Sequence, residues 1–289
     1  MSGFSIFFGI IIVYHLQKLI TVKKIVVPLL ALMVAACSKN ALTGKSQFTL
    51  LPETELQSMA ASEYQQFLSS NKVVATTASK DAEMVTRVGK RITKAVEEYY
   101  TSKGMADKLT GYKWEYNLVN DAAVNAWCMP GGKIVVYTGL LPITQNEAAL
   151  AVVMGHEVSH ALLQHGNQRM SQGLVQQLGG VALSVALSNK PAETQTLFMN
   201  AYGVGSNVGV MLPFSRKNEL EADHWGLNFA AMAGYNPQEA IPLWERMEAA
   251  ANGQTPPEFL STHPSEGRRI DQLKKYMNEA LSYYKPVQK

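Results

Sequence analysis

Gly155-His156-Glu157-Val158-Ser159-His160 lies inside an apolar run that extends from Asn146 to His165. An α-helix turns every 3.6 residues, so side chains four apart stack on one face. His156 and His160 therefore point the same way, one turn apart, and two imidazoles so placed can grip one Zn²⁺ ion. Glu157 stands beside them, set to reach a water on the metal rather than the metal itself. Leu150, Ala151, Val152, Val153, Met154, Val158, Ala161, Leu162 and Leu163 make the segment apolar almost all round, with no Pro. A helix of that kind is buried. Asn146 is a good N-cap, and Gly166 suits a C′ stop. Two His and a Glu within a buried helix are costly unless they are paired or bind a metal.

The His-Glu-x-x-His spacing is the pattern of zinc peptidases, although five residues also arise by chance. A catalytic zinc takes three protein ligands and keeps one position open for water, so a third ligand is needed. One known continuation places Gly three residues and His six residues after the second His. Here Leu163 and Gly166 occupy those positions, which excludes it. The other option is a carboxylate on a separate helix. Ser215-Arg216-Lys217-Asn218-Glu219-Leu220-Glu221-Ala222-Asp223 supplies one. Ser215 can cap, and Glu219 and Asp223 share a face at i and i+4. Glu219 is then the third ligand. Asp223 accepts a hydrogen bond from the far nitrogen of a ligand His, which fixes its tautomer and ring angle. Read alone, the stretch is more simply an acidic, solvated helix start.

His156-Glu157-x-x-His160, Glu219-x-x-Ala222-Asp223, and Thr262-His263-Pro264 with Arg269 together resemble the zinc metallopeptidases related to the CAAX prenyl protease. The likeness runs in order over roughly residues 80 to 285 and is greatest to the soluble periplasmic lipoprotein branch. It implies a zincin-like domain and hydrolysis of peptide bonds in misfolded or misassembled envelope proteins. Glu157 would be the general base toward a zinc-activated water. The resemblance also sets Asn125-Ala126 at the edge where substrate lies, pairing by β-augmentation. It places His263 near the metal, as a latch on the open position or as a transition-state donor. Arg269 would steady the neighbouring carboxylates or the oxyanion.

The chain has 289 residues, 47% hydrophobic and 17% charged, which is a globular composition. Lys18, Lys23 and Lys24 are the only charges before residue 37. The remaining 23 Lys and Arg balance the 23 Asp and Glu, so no basic face for nucleic acid is expected. Residues 23–37 read as a short basic segment, an apolar segment and small residues before a cut. Val34-Ala35-Ala36-Cys37 resembles a bacterial lipobox, which implies cleavage before Cys37 and a lipid anchor on its sulfur. Phe4 to Tyr14 is a second apolar stretch upstream of that complete signal, so residues 1–21 read as a misplaced start, with an extra anchor as the alternative. Recovery of residues before Val22 from unprocessed precursor would overturn that reading. Ser38 is not acidic, which favours the outer over the inner membrane. Cys128 has no partner if Cys37 is acylated and reads as a buried, inert thiol.

Ser38 to Leu51 reads as a polar tether, and residues 52–289 as the domain. Pro52 to Ser70 and Ser79 to Tyr100 read as amphipathic helices forming a wall behind the site. Tyr112 to Val119, Val124 to Met129 and Lys133 to Tyr137 read as strands, the last two joined at Pro130-Gly131-Gly132. His165 falls about 140° round the helix from His160, off the ligand face, and reads as structural or surface. Gly173 to Ser188 is a small-residue apolar helix, and Pro191 to Leu212 a mobile lid or a plain connection. His224 points away from the ligand face. The expected fold is α+β, mostly α, with a small antiparallel sheet beside the metal helix. The expected function is a Zn²⁺-dependent endopeptidase acting on protein substrates. A lipoprotein chaperone with a latched or structural zinc is the second reading.

Overall fold

The computed structural model describes residues 37–178, 191–202, 204, 214–251, 258–263 and 269–286. Residues 1–36, with the expected signal and the Phe4–Tyr14 stretch, lie outside them. So do most of the expected small-residue helix (179–188), much of the expected lid (205–212), and residues 252–257. Residues 264–268, which hold Pro264, are outside as well.

The described chain runs β1 (Cys37–Lys39), β2 (Ser46–Phe48), α1 (Glu53–Ser70), β3 (Val73–Val74), α2 (Lys80–Ser102), β4 (Glu115–Val119), β5 (Ala126–Met129) and β6 (Lys133–Tyr137). It continues through α3 (Leu141–Thr144), α4 (Glu147–Leu162), α5 (His165–Leu178), α6 (Pro191–Ala201), α7 (Arg216–Met232), α8 (Ala240–Ala251), α9 (Glu258–Thr262) and α10 (Arg269–Tyr283). The fold is α+β and mostly helical, as its apolar periodicities require. No helix among the described residues is long and apolar enough to cross a membrane.

The main sheet has the order β3-β4-β6-β5. β5 and β6 form the expected hairpin, with Gly131 and Gly132 at φ 74° and 82°, where glycine carries no Cβ penalty. The sheet is not purely antiparallel, however. β6 runs parallel to β4, with Glu115 opposite Lys133 and Val119 opposite Tyr137. After β4 the chain skips a place, lays down β5 as the edge, and returns with β6 in the gap. Alternation along a strand says which face each residue takes but not which strand lies beside it. All five residues of β6 are buried, as its central place demands.

The sheet separates two cores. Leu118, Ala126, Cys128, Ile134 and Val136 face a core shared with α2, α4, α7, α8 and α10. Val119, Trp127, Met129, Val135 and Tyr137 face a second, with Leu56, Ala60 and Tyr64 of α1, Met170 and Leu174 of α5 and Phe198 of α6. Val88, Ile92 and Val96 of the α2 stripe are fully buried, and α2 does pack behind α4. α1 lies on the opposite face, so only one of the two helices forms the wall expected of both. Cys128 is buried, and burial pushes its thiol well above the ordinary range.

Residues 38–51 are not a free tether. β1 and β2 pair antiparallel, and the connection between them docks on the end of the metal helix. Asn40 donates to Leu162 O at 3.0 Å and Gln47 to Leu163 O at 2.6 Å. These carbonyls have no partner inside their helix, and the two buried amides supply one. Farther on, Ser171 accepts from Leu50 N at 2.9 Å and Asn167 donates to Leu51 O. Polar residues that look solvated in sequence are here the C-terminal satisfaction of α4.

The end of α4 also differs from expectation. Gln164, with φ 55°, takes the left-handed position that stops the helix. Gly166 lies within α5 instead, where a Cβ would strike the Tyr202 ring. Its role is close packing.

Glu53 is a buried carboxyl at the start of α1, and its Oε1 has no hydrogen-bond partner. Burial pushes it up to about 7. Between the ordinary range and pH 7 the folded state thus holds a proton the unfolded chain has released, and stability falls as pH rises through that window. A tenfold difference in proton affinity between the two states is worth about 1.4 kcal/mol. Glu53→Gln should therefore raise stability by roughly 3 kcal/mol at pH 8, by the same relation, and by little at pH 4. Urea midpoints at the two pH values check this.

Candidate metal centre

α4 begins as its sequence implies, with the Asn146 side chain accepting from Ala149 N at 2.8 Å. α7 begins at the Ser215 cap, whose Oγ accepts from Asn218 N at 3.2 Å. The two helices cross where each carries a glycine. A Cβ on Gly155 would lie 2.6 Å from Gly226 O, and one on Gly226 would lie 2.6 Å from His156 N. That backbone-to-backbone approach brings Glu219 and Asp223 within reach of His156 and His160.

His156, His160, Glu219 and His263 offer ligand atoms that all lie within 4.8 Å of one another, and all four residues are buried. His156 Nε2 is 3.0 Å from His160 Nε2 and 3.3 Å from His263 Nδ1. Glu219 Oε1 is 3.4 Å from His160 Nε2 and 3.1 Å from His263 Nδ1. Ring nitrogens so close need a proton or a cation between them, since neutral imidazoles cannot all donate. Two imidazoles and a carboxylate are a zinc donor set, so the residues fit the ion. Glu219 Oε2 is moreover buried without a hydrogen-bond partner.

Asp223 does what its spacing suggested, standing 2.9 Å from His156 Nδ1. Arg269 closes the far side. It donates to Asp223 Oδ1 at 2.6 Å, lies 3.3 Å from Glu219 Oε2, and stacks 3.5 Å above the Trp244 ring. Burial disfavours charge on His156, yet Asp223 and Glu219 outweigh it and hold the imidazole at about 9. Burial likewise opposes the Glu219 charge, and His263 and His160 overcome it, holding the carboxyl well below its usual range. Glu157 takes no place in the ligand cluster. Its Oε1 is 3.5 Å from His263 Nε2 and has no hydrogen-bond partner, and burial raises its pKa against the pull of His263.

A scan of family models matches residues 87–277 to peptidase family M48. The chain belongs to peptidase family M48. Among curated proteins it is 39% identical over 182 residues to the mitochondrial metalloendopeptidase OMA1 of Arabidopsis thaliana, covering 62% of this chain and 35% of that protein. It is 33% identical over 199 residues to the same-named protein of Saccharomyces cerevisiae, covering 66% and 55%. The beta-barrel assembly-enhancing protease of Escherichia coli is 31% identical over 176 residues, covering 57% and 35%. The chain thus spans about a third to about half the length of these M48 relatives.

Asn125 and Ala126 lie at the start of the edge strand β5, both buried. Just before them, Val124 O accepts from Phe259 N at 3.0 Å, so α9 occupies that end of the edge. α9 carries His263 into the site, where its ring stacks on Phe259 at 4.4 Å and leans on Phe214 at 5.2 Å. His224 stays outside the cluster and bonds Glu279 at 2.8 Å.

Three features of the site escaped the sequence. Phe214 lies 4.1 Å from the His160 ring, the Trp244 face supports Arg269, and His165 meets His160. An aromatic beside a ligand has no spacing rule, because it arrives from another element. The paired glycines were a usable signal, since each sits inside a helix where glycine costs about 1 kcal/mol relative to alanine.

Proposed function

We propose that this M48 chain is a zinc endopeptidase, and the observation that carries the reading is the convergence of His156, His160 and Glu219 beside a buried Glu157 outside the ligand set. When bound, zinc supplies a Lewis acid that acidifies water and polarises a carbonyl. Glu157 takes the proton of the attacking water and returns it to the leaving amine. Burial suits the carboxylate to both tasks by bringing its affinity for a proton nearer neutrality. Asp223 orients His156, and Arg269 holds Asp223 and Glu219. Substrate backbone pairs with β5 at Asn125-Ala126 once α9 gives way. Casein digestion by the purified protein tests the reading. Cleavage should cease when a chelator strips the metal and return with added Zn²⁺; cleavage indifferent to chelator overturns it.

The reading extends to a lipoprotein anchored through Cys37 at the periplasmic face of a bacterial outer membrane, acting on misfolded or misassembled envelope proteins. The name of the Escherichia coli relative, a protease that enhances β-barrel assembly, supports that substrate class. An acyl-modified Cys37 in the mass spectrum of the membrane-extracted protein would bear out the anchor, and an unmodified one would overturn it.

His263 offers a fourth possible ligand atom beside those of His156, His160 and Glu219, which supports a latch over a transition-state donor. His263→Ala should cleave casein faster, by about severalfold, because more of the protein is competent without the latch. Much slower cleavage would make His263 a donor. The same contact favours a second reading, a chaperone whose four-ligand zinc is permanently closed. In that case neither parent nor variant cleaves, while both bind zinc.

A further inference from the structure

We propose that His165 and Glu221 form a positioning chain that holds the ligand His160, with Lys45 of the β1–β2 connection tying its outer end. The inference rests on the metal-site reading above. His160 turns Nε2 toward the ligand cluster and Nδ1 away from it, 3.0 Å from Nδ1 of His165. A neutral imidazole carries one proton. If Nε2 gives its lone pair to the metal, the proton of His160 sits on Nδ1 and must be donated to His165. His165 accepts at Nδ1 and so carries its own proton on Nε2. That nitrogen lies 3.6 Å from Glu221 Oε2, just beyond hydrogen-bond length, and is buried with no hydrogen-bond partner among the described residues. Glu221 Oε1 in turn meets Lys45 Nζ at 2.6 Å.

The arrangement mirrors the one on the other ligand, where Asp223 meets His156 Nδ1 directly. One α7 helix thus supplies the ligand Glu219 and a carboxylate for each histidine. Sequence spacing hides this. His165 lies off the ligand face of a continuous helix, but the left-handed turn at Gln164 ends α4 and swings His165 back against His160. His165 is fully buried, whereas Lys45 is exposed, so the inner links should matter most.

Zinc affinity, measured by competition with a chromogenic chelator, tests the chain without reference to proteolysis. His165→Leu should bind Zn²⁺ about 10–100-fold more weakly, the usual cost of losing a partner behind a ligand. His165→Gln retains an oxygen that accepts from His160 and should recover most of the loss. Glu221→Ala should fall between them. Equal losses for Leu and Gln would mean packing alone and overturn the proposal, as would parent-like affinity in His165→Leu. Melting temperatures of the metal-free proteins show which variants fold; if His165→Leu does not, parent-like affinity in Glu221→Ala overturns the proposal instead. Long-range ¹H–¹⁵N spectra of the zinc-loaded parent should show His160 protonated at Nδ1; protonation at Nε2 overturns it. A parent that takes up no zinc would overturn the metal reading itself, and this chain with it.

Discussion

Glu157→Gln is expected to bind Zn²⁺ as the parent does and to cleave casein about 10²–10⁴-fold more slowly, the usual worth of a positioned general base. The two effects separate because Glu157 contributes no atom to the ligand cluster. Gln has the same shape, so the buried site keeps its packing. What it lacks is the basic oxygen that takes a proton from water. Zinc content and casein cleavage, measured on one preparation, decide the matter. Parent-like cleavage would remove Glu157 from the chemistry, and lost zinc would make it a ligand. The sign of the pH dependence follows from burial. A base acts only when deprotonated, and the Glu157 pKa is raised. In the parent, activity should fall on acidification at a higher pH than an ordinary glutamate would give.

Gly226→Ala is the second large effect. In a free helix this change stabilises by about 1 kcal/mol. Here the new Cβ would sit 2.6 Å from His156 N and 2.7 Å from His156 Cα, both backbone atoms that cannot turn aside. α4 and α7 must then separate. Overpacking of this kind costs about 1–3 kcal/mol and sometimes more. The clash wins, and the separation draws Glu219 and Asp223 away from the histidines. Lower stability and weaker zinc binding are therefore expected together, from urea midpoints and chelator competition. Gly173→Ala is the control. Its Cβ would meet Leu197 Cδ1 at 2.7 Å, the far end of a side chain that can move. It should be neutral or stabilising, and equal loss in both variants would refute the account of the crossing.

Much of the centre is local and was legible for that reason. His156, Glu157 and His160 sit within five residues on one helix, so periodicity alone fixes their relation. The same holds for Glu219 and Asp223, and for the Asn146 and Ser215 caps, which act three residues away. His263 and Arg269 are different. Their place beside the metal was expected only from resemblance, since no spacing rule joins residue 263 to residue 156.

The sequence by itself determined the helices, the hairpin and the ligand types, because each follows from side chains a few positions apart. Tertiary structure alone decided that β6 enters between β4 and β5, that residues 37–51 close the end of α4, and that Gln164 rather than Gly166 stops it. It alone set His165 against His160, and gave Glu221 and Lys45 their places behind it. In each case the partner is distant along the chain, and the geometry depends on how closely two backbones approach. Composition and period carry no record of that distance; at the metal it is set by two facing glycines that leave room for nothing larger.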